Sequence, residues 1–220
     1  MTNISSFRGG VLSEVIGCPP LIVDQAVVDA IIQLCRDASL FVKSFEHDVD
    51  ASADVDTTDN DSITIDLSTY VSDTLRPITV KELKIDGTKW ETTEKELEND
   101  VADISLYGIT STKFFNFPTI GTIKIYPMDT TDDVAVYLDM VWVPLRTMTS
   151  IDDFIFDNHR EAVEARAKWN LMNQPEKKWT NIDLAMLKLS EYSRKMEEAK
   201  IAKLMGYTFG SMRVKQMRFF

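Results

Sequence analysis

The chain has 220 residues with 24 basic and 35 acidic side chains, so its formal net charge at pH 7 is −11. Its hydrophobic content of 44% and charged content of 27% are those of an ordinary soluble protein. No apolar run reaches the ~18 residues that a membrane-spanning helix needs, and the first residues show no basic-then-apolar signal pattern. Cys18 and Cys35 form neither a disulfide framework nor a metal-ligand spacing, which indicates a reducing compartment.

The charge is unevenly distributed. Residues 1–150 contain 11 basic and 25 acidic side chains, whereas residues 151–220 contain 13 basic and 10 acidic ones. From Ala199 onward there are five basic residues and no acidic one: Lys200, Lys203, Arg213, Lys215 and Arg218. An acidic body disfavours nucleic-acid binding and a basic end favours an acidic partner, although the charges are equally well explained as ordinary surface charge.

The first helix is predicted after an irregular start. Five glycines and prolines within residues 1–20 predict that residues 1–23 form an extended or frayed arm. The stretch "DQAVVDAIIQLCRDASLF" has apolar residues at helical spacing and predicts a helix over residues 24–41, within a helical segment 24–43, with Asp24 as its N-cap. Cys35 lies on the apolar side of this helix, which disfavours a role as a nucleophile.

An acidic segment follows, and after it apolar and polar residues alternate with a period of two. The segment 48–61, "DVDASADVDTTDND", could bind a hard cation, but it lacks the glycine and the final acid of a calcium-binding loop. A solvated loop is therefore favoured.

The stretches "SITIDLSTY", "ITVKELKIDGTKW", "TIKIYP" and "VAVYLDMVWVP" alternate apolar and polar residues, and Asp86-Gly87 is a strong turn signal. They predict a mostly antiparallel β-domain of five to seven strands within residues 44–145.

The period returns to that of a helix in residues 146–205. Two continuous, mainly apolar stripes step by three and four residues: Ile155, Asn158, Ala162, Ala165, Trp169 and Met172, then Ile182, Ala185, Leu189, Tyr192, Met196 and Ala199. Pro175 ends the first helix, and Thr180 with Asp183 resembles a capping box for the second. These features predict a helical hairpin with Trp179 at its bend, where the ring either closes the end of the hairpin or, with Lys177 and Lys178, contacts a neighbouring subunit.

Signatures of catalysis are missing from the sequence. None of the common zinc-protease, dinucleotide, phosphate-binding or serine-hydrolase motifs occurs. The two histidines, His47 and His159, lie far apart in the sequence, and His159 is expected to be structural. We therefore expect no enzyme, no catalytic or cofactor-binding residue and no metal site.

Three segments, taken in this order, resemble the head-to-tail adaptor (connector) proteins of tailed bacteriophages. "CPPLIVDQAVVDAIIQLCRDAS" is similar to the family's opening helix, and "ITVKELKIDGTKWE" to its hairpin. "FDNHREAVEARAKWNLMNQPEKKWTNIDLA" resembles its closing helical hairpin, with a Pro-x-Lys-x-Trp-type bend. The three quoted stretches together contain 66 of the 220 residues. The acidic 48–61 segment and the end of the chain have no counterpart in the family.

The resemblance implies a structural virion protein that forms a homo-oligomeric ring, commonly a dodecamer. Such a ring sits beneath the portal protein at the neck, is assembled in the host cytoplasm, contacts tail proteins and surrounds double-stranded DNA without sequence-specific or membrane binding. The basic, aromatic tail over residues 206–220 is expected to dock on the portal or a neighbour rather than fold back. The residues expected at such interfaces are Lys177, Lys178, Trp179, Arg213, Lys215, Arg218, Phe219 and Phe220.

The sequence thus predicts an α+β fold, in which a helical hairpin and an N-terminal helix carry an inserted, mostly antiparallel β-domain. The first functional hypothesis is the neck ring. The alternatives are a β-domain that binds protein or carbohydrate, and a hydrolase that uses a divalent metal ion in the acidic loop.

Overall fold

The chain forms two compact units. A computed structural model describes residues 1–49, 55–56, 62–66, 75–85, 88–92, 114–119, 122–126 and 134–205. One unit, here called the helical unit, is built from Met1–Leu40 and the chain from Met148 onward, and the other, the β unit, from Phe41–Thr147. The β unit is therefore an insertion within the helical one.

The helical unit is built around α-helices. Those described are α1 (Arg8–Leu12), α2 (Pro20–Asp37), α3 (Asp153–Met172) and α4 (Ile182–Leu204). A short 3-10 helix, Ile4–Phe7, precedes α1, and strand β1 (Thr2–Asn3) pairs antiparallel with β10 (Ser150–Ile151). None of the described helices combines the length and the apolarity that a membrane span requires.

The N-terminal segment is folded, so the expectation of an extended or frayed arm was wrong. Ile4, Phe7, Val11 and Val15 are buried, the last three completely. Phe7 packs edge-on against the ring of Phe156 in α3, with ring centroids 5.1 Å apart. Contacts with the long helices therefore order a segment whose glycines, judged locally, favour irregular backbone.

Helix α2 begins and ends four residues earlier than predicted. Pro20 occupies its first turn, where the missing amide hydrogen costs nothing, and Pro19 is the N-cap. Asp24 is not a cap; it accepts hydrogen bonds from Nε (2.7 Å) and Nη2 (2.5 Å) of Arg8. At the other end, Ser39 takes a positive φ of 49°, and the amide of Leu40 donates back to the carbonyl of Cys35.

The β unit is an eight-stranded sheet within the described residues. Its strands are β2 (Phe41–Val49), β3 (Val55–Asp56), β4 (Ser62–Asp66), β5 (Leu75–Ile85), β6 (Thr88–Thr92), β7 (Phe114–Thr119), β8 (Thr122–Tyr126) and β9 (Val134–Pro144). The spatial order is β2-β9-β5-β6-β7-β8-β4-β3. The pairs are antiparallel except β6 with β7.

Buried and more exposed side chains alternate along the strands, and the buried ones form the core of the sheet. In β9 the buried residues Val136, Leu138, Met140 and Trp142 alternate with more exposed ones up to Asp139. The predicted hairpin around Asp86-Gly87 is present as β5 and β6, although residues 86 and 87 lie outside the described part. Strand β2 was not predicted, and the acidic 48–61 segment lies mostly outside the described residues.

The predicted α+β class is confirmed, including the mostly antiparallel sheet between helical segments. Helices α3 and α4 are the two arms of the predicted hairpin, and α3 ends at Met172, before Pro175.

Candidate subunit interface

The bend between α3 and α4 is held by side-chain hydrogen bonds. Thr180 Oγ1 donates to the carbonyl of Gln174 (2.5 Å) and accepts from the amide of Lys177 (3.0 Å). The cap of α4 is Asn181, whose side chain accepts from the amide of Leu184 (3.1 Å). The predicted Thr180–Asp183 capping box was therefore wrong, because Thr180 is used to close the loop instead.

The predicted interface residues at the bend differ in exposure. Lys177 and Lys178 are exposed, whereas Trp179 is partly buried. The indole Nε1 of Trp179 is buried and has no hydrogen-bond partner among the described residues. The tryptophan thus contributes apolar packing at the bend, while the two ammonium groups remain available to a partner.

Small residues and one tyrosine fill the contact between the two arms. Ala162 and Ala165 of α3 and Ala185 and Ala199 of α4 are almost fully buried. Buried Tyr192 is the largest of the α4 residues in this set. Small side chains let the two helix axes approach closely, as the alanine pattern predicts.

Tyr192 ties the hairpin to α2. Its hydroxyl donates to Asp37 (2.8 Å), and the guanidinium of Arg166 lies 5.1 Å from its ring centroid. Burial, followed by the bond to Asp37, raises the pKa of the Tyr192 hydroxyl. The phenol is therefore protonated and acts as a donor.

Four residues of the first predicted stripe, Ile155, Ala162, Ala165 and Met172, are buried as predicted, and the stripe departs from the prediction at Asn158. Asn158 is exposed, and the neighbouring His159 is buried in its place. The ring of His159 packs edge-on against Phe154, with centroids 5.2 Å apart. Burial lowers the pKa of His159, so its imidazole is neutral at pH 7, and a neutral ring fits an apolar face.

Glu14 joins the N-terminal segment to both arms of the hairpin. It accepts from Nζ of Lys168 in α3 (2.5 Å) and from Nζ of Lys188 in α4 (3.0 Å). Burial alone would raise the pKa of the Glu14 carboxyl, but the two lysine hydrogen bonds outweigh this effect and lower it. No sequence motif marks this cluster, because Glu14 lies 154 residues before Lys168 and Lys168 lies 20 residues before Lys188.

The outer side of α4 exposes large apolar side chains. Ile182, Met186 and Leu187 are 63%, 60% and 66% exposed, and we call these three residues the tip patch. Ile182 and Met186 are four residues apart and so share one face of the helix. Further along α4, Ile201 and Leu204 are also exposed. The prediction had placed Ile182 inside the hairpin.

A groove of about 560 Å³ lies between the N-terminal half of α3 and the C-terminal half of α4. Its apolar lining includes Phe156, Ala162, Ala199 and Ala202. Its charged lining consists of Asp157, Arg160, Glu161, Lys195 and Glu198.

Ion pairs occupy most of the charged groups of the groove. Lys195 Nζ contacts Glu161 (2.7 Å) and Glu198 (3.3 Å), and these bonds raise the pKa of Lys195. Arg160 pairs with Glu164 (2.6 Å), which does not line the groove. Within the described part of the chain, Asp157 has no such ion pair. The charged lining thus has three carboxylates and two basic groups, a balance of −1.

The described residues contain no obvious catalytic arrangement. Cys18 and Cys35 are free and buried, and burial raises the pKa of the Cys35 thiol to about 12. Among these residues, no three His, Cys, Asp or Glu side chains are grouped so that they could hold a metal ion.

The remaining predicted interface residues, Arg213, Lys215, Arg218, Phe219 and Phe220, lie outside the described residues. Compared with known protein families and with curated proteins, the sequence has no significant match.

Proposed function

We propose that this chain is a structural subunit of a tailed-phage neck, in which copies form a head-to-tail adaptor ring beneath the portal. The ring joins the capsid vertex to the tail and surrounds the channel through which DNA leaves. Its work is assembly, without turnover, and its partners are further copies of itself, the portal protein and tail proteins.

The observation that supports this proposal most is the tip patch on α4. Three neighbouring apolar side chains, Ile182, Met186 and Leu187, are each more than half exposed beside a bend that carries Lys177 and Lys178. Grouped apolar exposure with a polar surround is typical of surfaces that bind protein. In the proposal, this end of the hairpin contacts the next subunit or the portal.

The charge of the β unit is compatible with a DNA channel. Residues 41–147 contain 9 basic and 21 acidic side chains, whereas the rest of the chain contains 15 and 14. Each phosphate that a basic side chain neutralises adds salt-dependent affinity, which would slow the passage of DNA. A ring of acidic subunits avoids such binding wherever acidic side chains face the channel.

Electron microscopy of the phage particle that contains this chain tests the proposal. The expected result is a ring of copies around the channel axis between portal and tail. A particle in which this chain is absent from the neck, or present as a single copy away from the axis, would contradict it.

A pair of variants tests the role of the tip patch. Met186→Glu places a charge in the patch and should prevent incorporation into particles while the folded helical content is retained, because Met186 is 60% exposed. Gln25→Glu places the same charge at an exposed position of α2 and should leave incorporation unchanged. Equal incorporation of both variants would exclude the tip patch as a contact.

The alternative function, a β-domain binding module, has one observation in its favour. Strand β2 pairs only with β9 within the described residues, so nine residues form an edge that a partner strand could join. The mass of the particles distinguishes the two functions, since a neck subunit forms rings with its portal and a binding module remains small.

A further inference from the structure

The groove between α3 and α4 is wide enough to be a binding site, and nothing in the proposed ring accounts for it. Its volume of about 560 Å³ falls in the range of roughly 300–1,000 Å³ typical of sites that bury a small ligand. Alanines at 162, 199 and 202 line it, with the ring of Phe156. These four apolar residues suit apolar side chains of a peptide segment, and the other seven lining residues are polar or charged.

We propose that the occupant of this groove is the tail of this same chain, residues 206–220. Ala202, which lines the groove, is three residues before Met205, the last described residue. Fifteen residues reach at most about 50 Å when extended. The groove extends along α4 from Lys195 to Ala202, only about 10 Å at the helical rise. The tail therefore starts beside the groove and is long enough to lie along it.

The composition of the tail fits the groove in both its apolar and its charged parts. The apolar residues of the tail are Tyr207, Phe209, Met212, Val214, Met217, Phe219 and Phe220. The tail also has three basic side chains and no acidic one. Of the three carboxylates that line the groove, Glu161 and Glu198 pair with Lys195, and Glu198 also pairs with Arg194, so Asp157 is the carboxylate left to meet a basic side chain of the tail. In this arrangement the basic side chains of the tail lie at the edge of the groove near its carboxylate, and the aromatic rings of the tail lie inside against the apolar lining.

This inference deepens the proposed ring function, and only the exchange of tails between neighbouring subunits rests on that function. In the free subunit the tail occupies the groove of its own chain, where the tether gives it a high effective concentration. In the ring, exchange of tails between neighbours uses the same contact and joins one surface of a copy to a different surface of the next. Occupancy in the free subunit does not depend on the ring.

A photo-cross-linking amino acid at position 219 of the purified full-length chain tests the proposal. The expected adducts, located by mass spectrometry, lie on residues 156–162 and 195–202 and migrate as a single chain at low concentration. Adducts confined to other residues, or no adduct, would overturn the proposal.

Two matched substitutions make the test specific. Ala202→Trp fills the groove and should lower the yield of these adducts roughly fivefold or more. Ser193→Trp adds the same ring at an exposed position of α4 outside the groove and should leave the yield unchanged. If Ala202→Trp fails to fold, Asp157→Lys at the exposed rim provides the same test through charge and should also lower the yield. An equal yield in the groove variant and in Ser193→Trp would refute occupancy.

The outcome is separable from that of the neck proposal. Groove adducts in the free chain, together with a particle that lacks a ring, would leave the tail contact standing and remove the neck function. A ring without groove adducts would do the reverse.

Discussion

Replacing Glu14 by glutamine should destabilise the helical unit, because Glu14 neutralises two poorly solvated lysines. The side chain of Lys168 is 9% exposed and that of Lys188 is 15% exposed, while Glu14 is 32% exposed. Removing one partner of a fully buried ion pair costs about 3–5 kcal/mol, and of an exposed pair about 0–1 kcal/mol. Glu14 lies between these limits, so we expect a loss of about 2 kcal/mol.

Urea and thermal unfolding followed by circular dichroism measure this loss. For a chain of this size, 2 kcal/mol corresponds to a fall in the melting temperature of about 4–8 °C. Glu176→Gln is the matched control, since Glu176 is exposed on the bend and should change stability by less than about 0.5 kcal/mol. If Glu14→Gln behaves like this control, the lysines do not depend on Glu14.

The pH dependence of the same variant gives an independent check. Because the pKa of folded Glu14 lies below its ordinary value of 4.5, its contribution is complete at neutral pH and is lost as the pH falls through the folded pKa. The stability difference between wild type and Glu14→Gln should therefore shrink in acid below about pH 4.5. A difference that grows in acid would refute the assigned ion pairs.

Three further substitutions or reactions test the hairpin and its packing. Asn181→Ala removes the cap of α4 and should lower the free energy of unfolding by about 1 kcal/mol in urea titrations. Tyr192→Phe removes the hydrogen bond to Asp37 and should lower the free energy of unfolding by about 1.5 kcal/mol. In the wild type, the raised pKa of Tyr192 should keep its phenol protonated at pH values where exposed tyrosines ionise, which ultraviolet titration measures. Cys35 should be unreactive toward thiol reagents at pH 8 in the folded protein and reactive in denaturant, because burial raises its pKa to about 12. Rapid labelling of the folded protein would contradict its position in the core.

The hairpin and the sheet could be predicted because their signals are local. Pro175 marks the end of α3 through its own ring, and alternation in "VAVYLDMVWVP" marks β9 without reference to any other strand. The cap of α4 was misplaced by one residue, since Thr180 and Asn181 are both good caps and only the contact with Gln174 decides between them.

The N-terminal segment shows where local reading fails. Ile4, Phe7, Val11 and Val15 follow helical spacing, but the adjacent glycines at 9 and 10 suggested an arm. A Cβ atom at Gly10 would meet the carboxylate of Glu164 in α3, so the glycine leaves room for that carboxylate beside α1. That reason for glycine is a tertiary contact and could not be read from the sequence around it.

The charge of the two units constrains how copies of this chain attract one another. Residues 41–147 carry a formal net charge of −12 and the rest of the chain +1, so the β unit holds all of the excess negative charge. Many basic residues of the hairpin are already paired within the subunit: Arg160, Lys168, Lys188, Arg194, Lys195 and Lys200. The basic groups available for electrostatic attraction between subunits are therefore Lys177 and Lys178 at the exposed bend, together with Arg213, Lys215 and Arg218 of the tail, which contains no acidic residue.

Replacing those three tail residues by glutamine should weaken incorporation into particles, and the deficit relative to wild type should diminish as salt rises, because the Debye length falls from about 10 Å at 0.1 M to about 3 Å at 1 M. Lys81→Gln removes a charge at an exposed position of β5 and, as the comparison, should leave incorporation unchanged. If the substitution causes no deficit even at low salt, the aromatic residues, and not the basic ones, hold the tail in place.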